Sequence, residues 1–402
     1  MAFVEKRGAG RWRARYRGPD GRERNQTFSR KVDAERFLVQ VEHDKQRGMW
    51  VDPELGKTTF AEYVGEWLPS TAHLAAGTCA NIDGRLRNHL LPYFGDLPLS
   101  AIRPAHVRGW VAEMVGKDLA AGTIRSTYGT LSRVLRTAEV DGIIARSPLM
   151  GIDLPKEVAR AEMIFLSPTE VAYLAEAIEP RYGALIYTAA YTGMRWGELA
   201  ALRVERVNLL KGTIHVCESL AEVNGKLHLK STKNGKDRTV SLPRFLAQML
   251  GGHIGRYPSC EGHVFSSASG AALRRRNFYR RHFRPAVEGV PERAKAQGRA
   301  ARPEIPSPLP EEKRRLRFHD LRHTCAALLI AQGAHAKEIQ ERLGHSTIRL
   351  TFDRYGHLLP SLDERLRDGL EAVYQEARAA CVRPGGPPAG DTTPLRDAET
   401  PG

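Results

Sequence analysis

Residues 343–360 read LGHSTIRLTFDRYGHLLP, with Tyr355 ten residues after His345. Taken alone, Tyr355 shares a helical stripe with Ile348 and Phe352 and reads as a core aromatic. Three other segments of the same region change that reading. They are Thr192-Gly193-Met194-Arg195-Trp196-Gly197-Glu198-Leu199, Lys233 on the Thr232–Asp237 turn between two strands, and Phe318-His319-Asp320-Leu321-Arg322-His323. A phosphodiester transfer without a metal needs a nucleophile, an acid for the leaving oxygen, and fixed cations on the nonbridging oxygens. Arginine suits the clamp, because it stays charged and forks onto two oxygens. Arg195, Arg322, His319, His345, Lys233 and Tyr355 make up such a kit. No carboxylate pair with magnesium spacing stands near them.

In order and spacing, this set resembles the tyrosine recombinases, or phage integrases. "TGMRWGELAALR" (192–203) and residues 343–360 are similar to that family's two signature boxes, and the His-Asp-Leu-Arg-His box fits between them. The resemblance covers residues 58–380. It implies Tyr355 as the nucleophile of a 3′-phosphotyrosine, which conserves the phosphodiester energy in a covalent bond without ATP. It implies Arg195 and Arg322 as phosphate clamps and His319 as general acid/base or phosphate ligand. His345 would be a hydrogen-bond donor to phosphate, Lys233 the acid for the 5′-oxygen, and Glu198 scaffold support. Lys230 and Lys236 flank Lys233 and remain alternatives. No metal or nucleotide cofactor is implied. A free tyrosine titrates near pH ~10, so neighbouring cations must favour its phenolate as it attacks.

His319 and His323, four apart, faintly resemble a zinc helix. Arg322 between them would place positive charge beside the metal, which argues against it. His323 reads as a residue that packs or bonds locally.

Working outward, Ser167-Pro168-Thr169-Glu170 opens helices that run to Leu202. Strands are expected at Thr213–Ser219, Lys226–Leu229 (after Asn224-Gly225) and Arg238–Leu242, with helices beyond. Arg274-Arg275-Arg276-Asn277-Phe278-Tyr279-Arg280-Arg281-His282 reads either as a solvated helix face or as phosphate contacts, Arg274, Arg275 and Arg280 foremost. Pro291–Pro310 reads as a flexible insertion, and Val382–Gly402, with five prolines and four glycines, as a disordered tail. A helix from Leu362 to about Ala379 carries Leu366, Leu370 and Val373 on one face, for packing in its own domain or on a neighbouring protomer.

Upstream, residues 58–158 read as a helical bundle. Thr59-x-x-Glu62 starts one helix, Cys79–Leu91 stops before Pro92, Pro104 opens a third, and Thr123–Val140 is the fourth. Met1–Lys31 holds ten Lys/Arg against three Asp/Glu. Arg11, Arg13 and Arg15 alternate with Trp12, Ala14 and Tyr16 on a strand, Arg22–Ser29 returns, and Lys31–Arg47 is helical with apolar Val32, Phe37, Val39 and Val41. Such a hairpin can lay arginines into a DNA groove.

The whole chain has 402 residues and a net charge of +15, which points to a polyanionic partner. Its five cysteines form no C-x-x-C pair, so neither a disulfide framework nor a cysteine zinc site is indicated, and a reducing compartment fits. No signal peptide or membrane span is read. The expected fold is therefore multidomain: a β-hairpin/helix module (1–57), an all-α core-binding bundle (58–158), a mainly helical α+β catalytic domain with a small antiparallel sheet (159–380), and a tail (381–402).

The resemblance implies double-stranded DNA attachment sites and a homotetramer on synapsed DNA. From the arm-like module it also implies a host DNA-bending protein and an excisionase. The setting would be the bacterial cytoplasm, at the nucleoid. The alternatives are an Xer-type chromosome-dimer resolvase, a catalytically silent DNA-binding regulator and a type IB topoisomerase. The N-terminal module argues against the first and the complete residue set against the second; the topoisomerase shares the chemistry, but the N-terminal module and the second box favour recombination.

Overall fold

The computed structural model describes residues 2–8, 10–18, 21–46, 55–156, 163–231, 237–290, 304–358 and 362–381. The chain divides into two compact units: Met1–Glu162 with Ala221–His228, and Met163–Leu220 with Leu229–Gly402. The expectations placed on Lys233, on 291–303 and on 382–402 lie outside the described residues.

In the first unit, β1 (Phe3–Lys6), β2 (Trp12–Arg17) and β3 (Glu23–Phe28) form an antiparallel sheet in that order. The hairpin expected from the sequence is β2–β3. β1 is an added strand, too short to show a period of its own, and it is set by pairing Val4 with Ala14. The two-residue period turns Ala14 and Tyr16 inward and Arg13 and Arg15 to the opposite face. Helix α1 (Lys31–Gln46) covers the inner face with Ala34, Leu38 and Val41. Val32 and Val39, two of the apolar residues that signalled this helix, face solvent instead.

The bundle begins at α2 (Phe60–Trp67), where the Thr59 hydroxyl accepts from the Glu62 N–H and the Glu62 carboxylate accepts from the Thr59 N–H. α3 (Ala76–Arg85) does not end before Pro92. A wide turn at Leu86–Leu90 carries it into α4 (Leu91–Phe94). The wider hydrogen-bond spacing lets the helix pass a residue that has no N–H to give. α5 (Pro104–Gly116) and α6 (Ala121–Val140) complete a core of Phe60, Phe94, Trp110, Leu131 and Leu135.

The second unit starts with α7 (Pro168–Ala177), opened by the Ser167–Glu170 capping box, then α8 (Pro180–Thr192) and α9 (Trp196–Ala201). β4 (Val207–Asn208), β5 (Thr213–Val216) and β8 form one sheet, with β5 in the middle. β6 (Glu218–Val223) and β7 (Lys226–Ser231) form another, and β8 spans Arg238–Ser241. The single strand expected over Thr213–Ser219 is therefore broken at Cys217, and its halves serve different sheets. Asn224 and Gly225 take the positive φ (50° and 74°) that a tight hairpin turn needs.

Next come α10 (Arg244–Arg256), α11 (Arg275–Phe278), and α12 (Arg284–Glu288), which contains Pro285 and again follows a wide turn, Tyr279–Phe283. Val290 and Ile305 exchange backbone hydrogen bonds across the base of the 291–303 segment. α13 (Asp320–Ala331), α14 (Ala336–Leu343), α15 (Ile348–Tyr355) and α16 (Leu362–Cys381) follow.

The main core gathers Leu185, Ile186 and Ala189 of α8 with Ile214, Val240, Leu246, Phe265, Phe283 and Leu321. A smaller core joins Cys325, Ile330, Ile339, Leu343 and Tyr355. Among the described residues, no helix is long and apolar enough to cross a membrane.

Candidate active site

Helix ends build the site. The last turn of a helix leaves carbonyls without intrahelical partners, and their dipoles favour cations. α8 ends at Gly193 and α14 at Gly344, both left-handed (φ 65° and 66°). Arg322, in the first turn of α13, donates from one guanidinium end to Gly193 O (2.5 Å) and from the other to Leu343 O (2.5 Å). Arg195 donates to Gly344 O (3.0 Å), and Arg238 Nε donates to Arg342 O (3.0 Å). Three arginines are thus seated on the carbonyl end of α14.

Glu198 organises the same group. Its carboxylate accepts from the Arg195 backbone N–H and guanidinium (both 2.9 Å) and from both ends of Arg238 (3.2 and 2.6 Å). Burial pushes the Glu198 carboxyl up, but Arg238 and Arg195 outweigh it and hold it below the usual carboxylate range. Burial, and then Arg195, push Arg322 down to about 9, so this 3 % exposed guanidinium stays charged at neutral pH.

The histidines stand in this positive field. His345 is buried, and its Nδ1 lies 2.9 Å from the Thr351 hydroxyl. Burial, then Arg322, Arg195 and Arg354, push it down to about 3. His319, at the start of α13, is exposed on one side. The atoms crowding its other side, then Arg322 and Arg354, push it down to about 4. His323, one turn further along α13, is buried, with Nδ1 2.7 Å from the Tyr355 hydroxyl. Burial and His319 push it down to about 4. All three are neutral at pH 7.

Tyr355 ends α15 and is 0 % exposed. It faces inward with Thr351, whereas Ile348 and Phe352, its expected stripe partners, are exposed. Its ring is stacked with that of His345 (centroids 6.2 Å apart, 13° between planes) and meets His323 edge-on (5.7 Å). Burial pushes the phenol up to about 12, while Arg322 and Arg354 pull it back.

The structure therefore brings Arg195, Glu198, His319, Arg322, His345 and Tyr355 together. Lys233 lies outside the described residues, and Lys230 on β7 is exposed. Three residues of the cluster were missed as site residues in the sequence. Arg238 looked like an ordinary strand residue. Arg354 precedes Tyr355, and its buried Nε has no hydrogen-bond partner among the described residues. His323 reads from the sequence as a residue that packs or bonds locally, and the group it bonds is the Tyr355 hydroxyl; its i,i+4 spacing from His319 puts both on one face.

The basic candidates lie elsewhere. Arg11 is exposed ahead of β2. Arg13 and Arg15 stand on the outer sheet face, 3.7 and 3.6 Å from the Glu5 carboxylate. Arg274 is half-buried at the start of α11, Arg275 and Arg280 are exposed, and Phe278 between them is core.

Three family models match the chain: "Phage integrase family" over residues 165–361, "Phage integrase, N-terminal domain" over 3–47, and "Phage integrase, N-terminal SAM-like domain" over 59–115. The putative prophage phiRv2 integrase of Mycobacterium tuberculosis is 30% identical over 371 residues, covering 89% of this chain and 92% of its own. The integrase of Mycobacterium phage L5 is 26% identical over 382 residues, covering 91% and 95%.

Two solved structures share the fold at 17% identity. The Tn1549 transposon integrase in complex with a circular intermediate DNA has a TM-score of 0.63 and covers 78% of this chain and 99% of its own. A lambda integrase tetramer bound to a Holliday junction has a TM-score of 0.55 and covers 86% and 95%. Matched along its length by these models and by the prophage relative, the chain belongs to the phage integrase family of tyrosine recombinases, site-specific enzymes that cleave and rejoin DNA.

Proposed function

We propose that the chain integrates and excises a phage or mobile element through a 3′-phosphotyrosine formed on Tyr355. The observation that carries this reading is one buried tyrosine hydroxyl at the centre of a ring of fixed cations and neutral histidines. Arg195 and Arg322 clamp the scissile phosphate, with their guanidinium planes already set by helix-end carbonyls, so little reorganisation accompanies the reaction. His345 turns its Nε2 to a phosphate oxygen, with Nδ1 occupied by Thr351. His319 serves as phosphate ligand or acid/base, and Lys233 protonates the leaving 5′-oxygen. Glu198 holds the arginines and takes no proton.

Residues 1–57 act as an arm-type DNA-binding module through Arg11, Arg13 and Arg15. Residues 58–158 bind the core site and 159–380 catalyse. Arg274, Arg275 and Arg280 add phosphate contacts. Two protomers bind each core site and two sites synapse into a tetramer, as in the lambda complex. The exposed Leu370 and Val373 of α16 dock on a neighbouring protomer. A host DNA-bending protein and an excisionase set the direction of the reaction at the bacterial nucleoid.

The test is recombination between two plasmids that carry attachment sites sampled from DNA flanking the gene. Recombinant joints with both strands exchanged are expected. Relaxation of supercoils without exchange would favour a topoisomerase instead.

A further inference from the structure

We propose that His323 accepts the proton of Tyr355 as the tyrosine attacks, and returns it when the strand is rejoined. The inference rests on Tyr355 being the nucleophile. A phenol attacks phosphorus effectively only as its proton leaves, and Tyr355, at 0 % exposure, has no bulk water to take it. His323 Nδ1, 2.7 Å away and itself buried, is in place.

The other histidines are not so placed. His345 lies stacked with the tyrosine ring, with its Nδ1 on Thr351, so it offers Tyr355 a ring face rather than a lone pair. His319 lies edge-on to His323, ring centroids 5.0 Å apart, and no hydrogen bond joins it to Tyr355 among the described residues.

The charges facing His323 keep its lone pair available. From α13 and the residues before it come His319, Asp320 and Arg317, from α15 Arg354 and Tyr355, and beyond the end of α14 His345. Burial first, and then their net positive charge, keep His323 neutral at rest. The entering phosphate adds negative charge and raises its basicity.

In the forward step, the Tyr355 O–H bond breaks and its proton passes to His323 Nδ1. The Oη–P bond forms and the P–O5′ bond breaks. The 5′-oxygen takes a proton from the acid assigned to Lys233. His323 is left as an imidazolium, which the phosphodiester beside it stabilises. Rejoining reverses each transfer.

The test is the rate of covalent complex formation on a nicked core-site duplex, from pH 6 to 9.5, in the full chain. His323→Asn places an amide near the Nδ1 position, so the hydrogen bond to Tyr355 persists while the base is lost. Core-site binding and melting temperature should stay near wild type, and cleavage at pH 7 should fall by ~100-fold or more. The deficit should narrow as pH rises and more of Tyr355 ionises before it attacks, which makes the proton acceptor dispensable.

A merely structural role gives a loss that is the same at every pH. That result, or cleavage within about threefold of wild type at pH 7, overturns the proposal. Should His323→Asn fail to fold, His323→Gln is read by the same profile. Tyr355→Phe separates the two claims. A covalent adduct in that variant defeats the nucleophile assignment itself, whereas no adduct there together with full activity in His323→Asn defeats only the proton acceptor.

Discussion

Glu198 on α9 and Arg238 on β8 stand forty residues apart in the chain and meet as a two-point ion pair, at 3.2 and 2.6 Å, with Glu198 buried. The same carboxylate grips Arg195 at 2.9 Å. One acidic group therefore sets the plane of Arg195, the arginine proposed as a phosphate clamp, by first being fixed to the sheet.

Breaking that pair exposes its weight. Arg238→Ala leaves a buried carboxylate with half its partners, which costs ~3–5 kcal/mol. Urea unfolding of the full chain should show the second unit destabilised by that much, with cleavage falling as Arg195 loosens. Arg238→Lys retains the charge without the fork, and should lie between that variant and wild type. An unchanged unfolding midpoint in Arg238→Ala would contradict this role.

The two helix-ending glycines of the site are not interchangeable with alanine. At Gly193 the φ of 65° is joined by a collision of any Cβ with Leu343 Cδ2 and a 3.2 Å approach to Cys325 Sγ. Gly193→Ala should lose ~2 kcal/mol or more, together with cleavage, since the Gly193 carbonyl seats Arg322. Gly129, within α6, has nothing within 4 Å of its would-be Cβ. Gly129→Ala should therefore gain ~0.5–1 kcal/mol. Thermal melts of the two variants should move in opposite directions.

Acid should weaken the fold in a defined window. His319, His323 and His345 drop from 6.5 to about 4, 4 and 3 in the folded chain, and burial also lowers His253 and His263. The unfolded chain therefore takes up protons first. The stability these groups contribute is complete above about pH 6.5 and is lost as pH falls toward the folded values. The melting temperature should fall steadily from pH 7 to pH 5, with a shallower slope in His345→Asn. A melting temperature that rises or stays flat over that range would contradict the account.

Much of the site was readable because its chemistry is local. Arg195, His319, Arg322, His345 and Tyr355 lie in short boxes, and the Thr59 and Ser167 capping boxes mark helix starts within four residues. What escaped depends on distance or on backbone give. The role of Arg238 exists only through partners distant in the chain, Glu198 and the Arg342 carbonyl. Pro92 looks like a helix stop, but it follows a wide turn that relieves the missing N–H, as Pro285 also does. The inward face of α15 is Thr351 and Tyr355, because His345 and His323 supply polar partners there. An apolar stripe count therefore chose the wrong neighbours.

The basic sheet has its own expectation. Arg13 and Arg15 share the face opposite Ala14 and Tyr16, so replacing both with alanine should spare the module's core. Binding to a long attachment site should weaken, and the slope of log K against log salt should drop by about 2. Binding to a bare core site should be unchanged. Deleting residues 1–57 should abolish integration at the long site and leave core-site binding intact. Unchanged integration would refute the arm assignment.

The most direct measurement compares wild type with Tyr355→Phe on a nicked core-site duplex in EDTA, resolved on a denaturing gel. A covalent protein–DNA band with wild type, absent in Tyr355→Phe although both bind the duplex, is the expected result. A band that persists in Tyr355→Phe would show that another residue attacks the phosphate and would contradict the account.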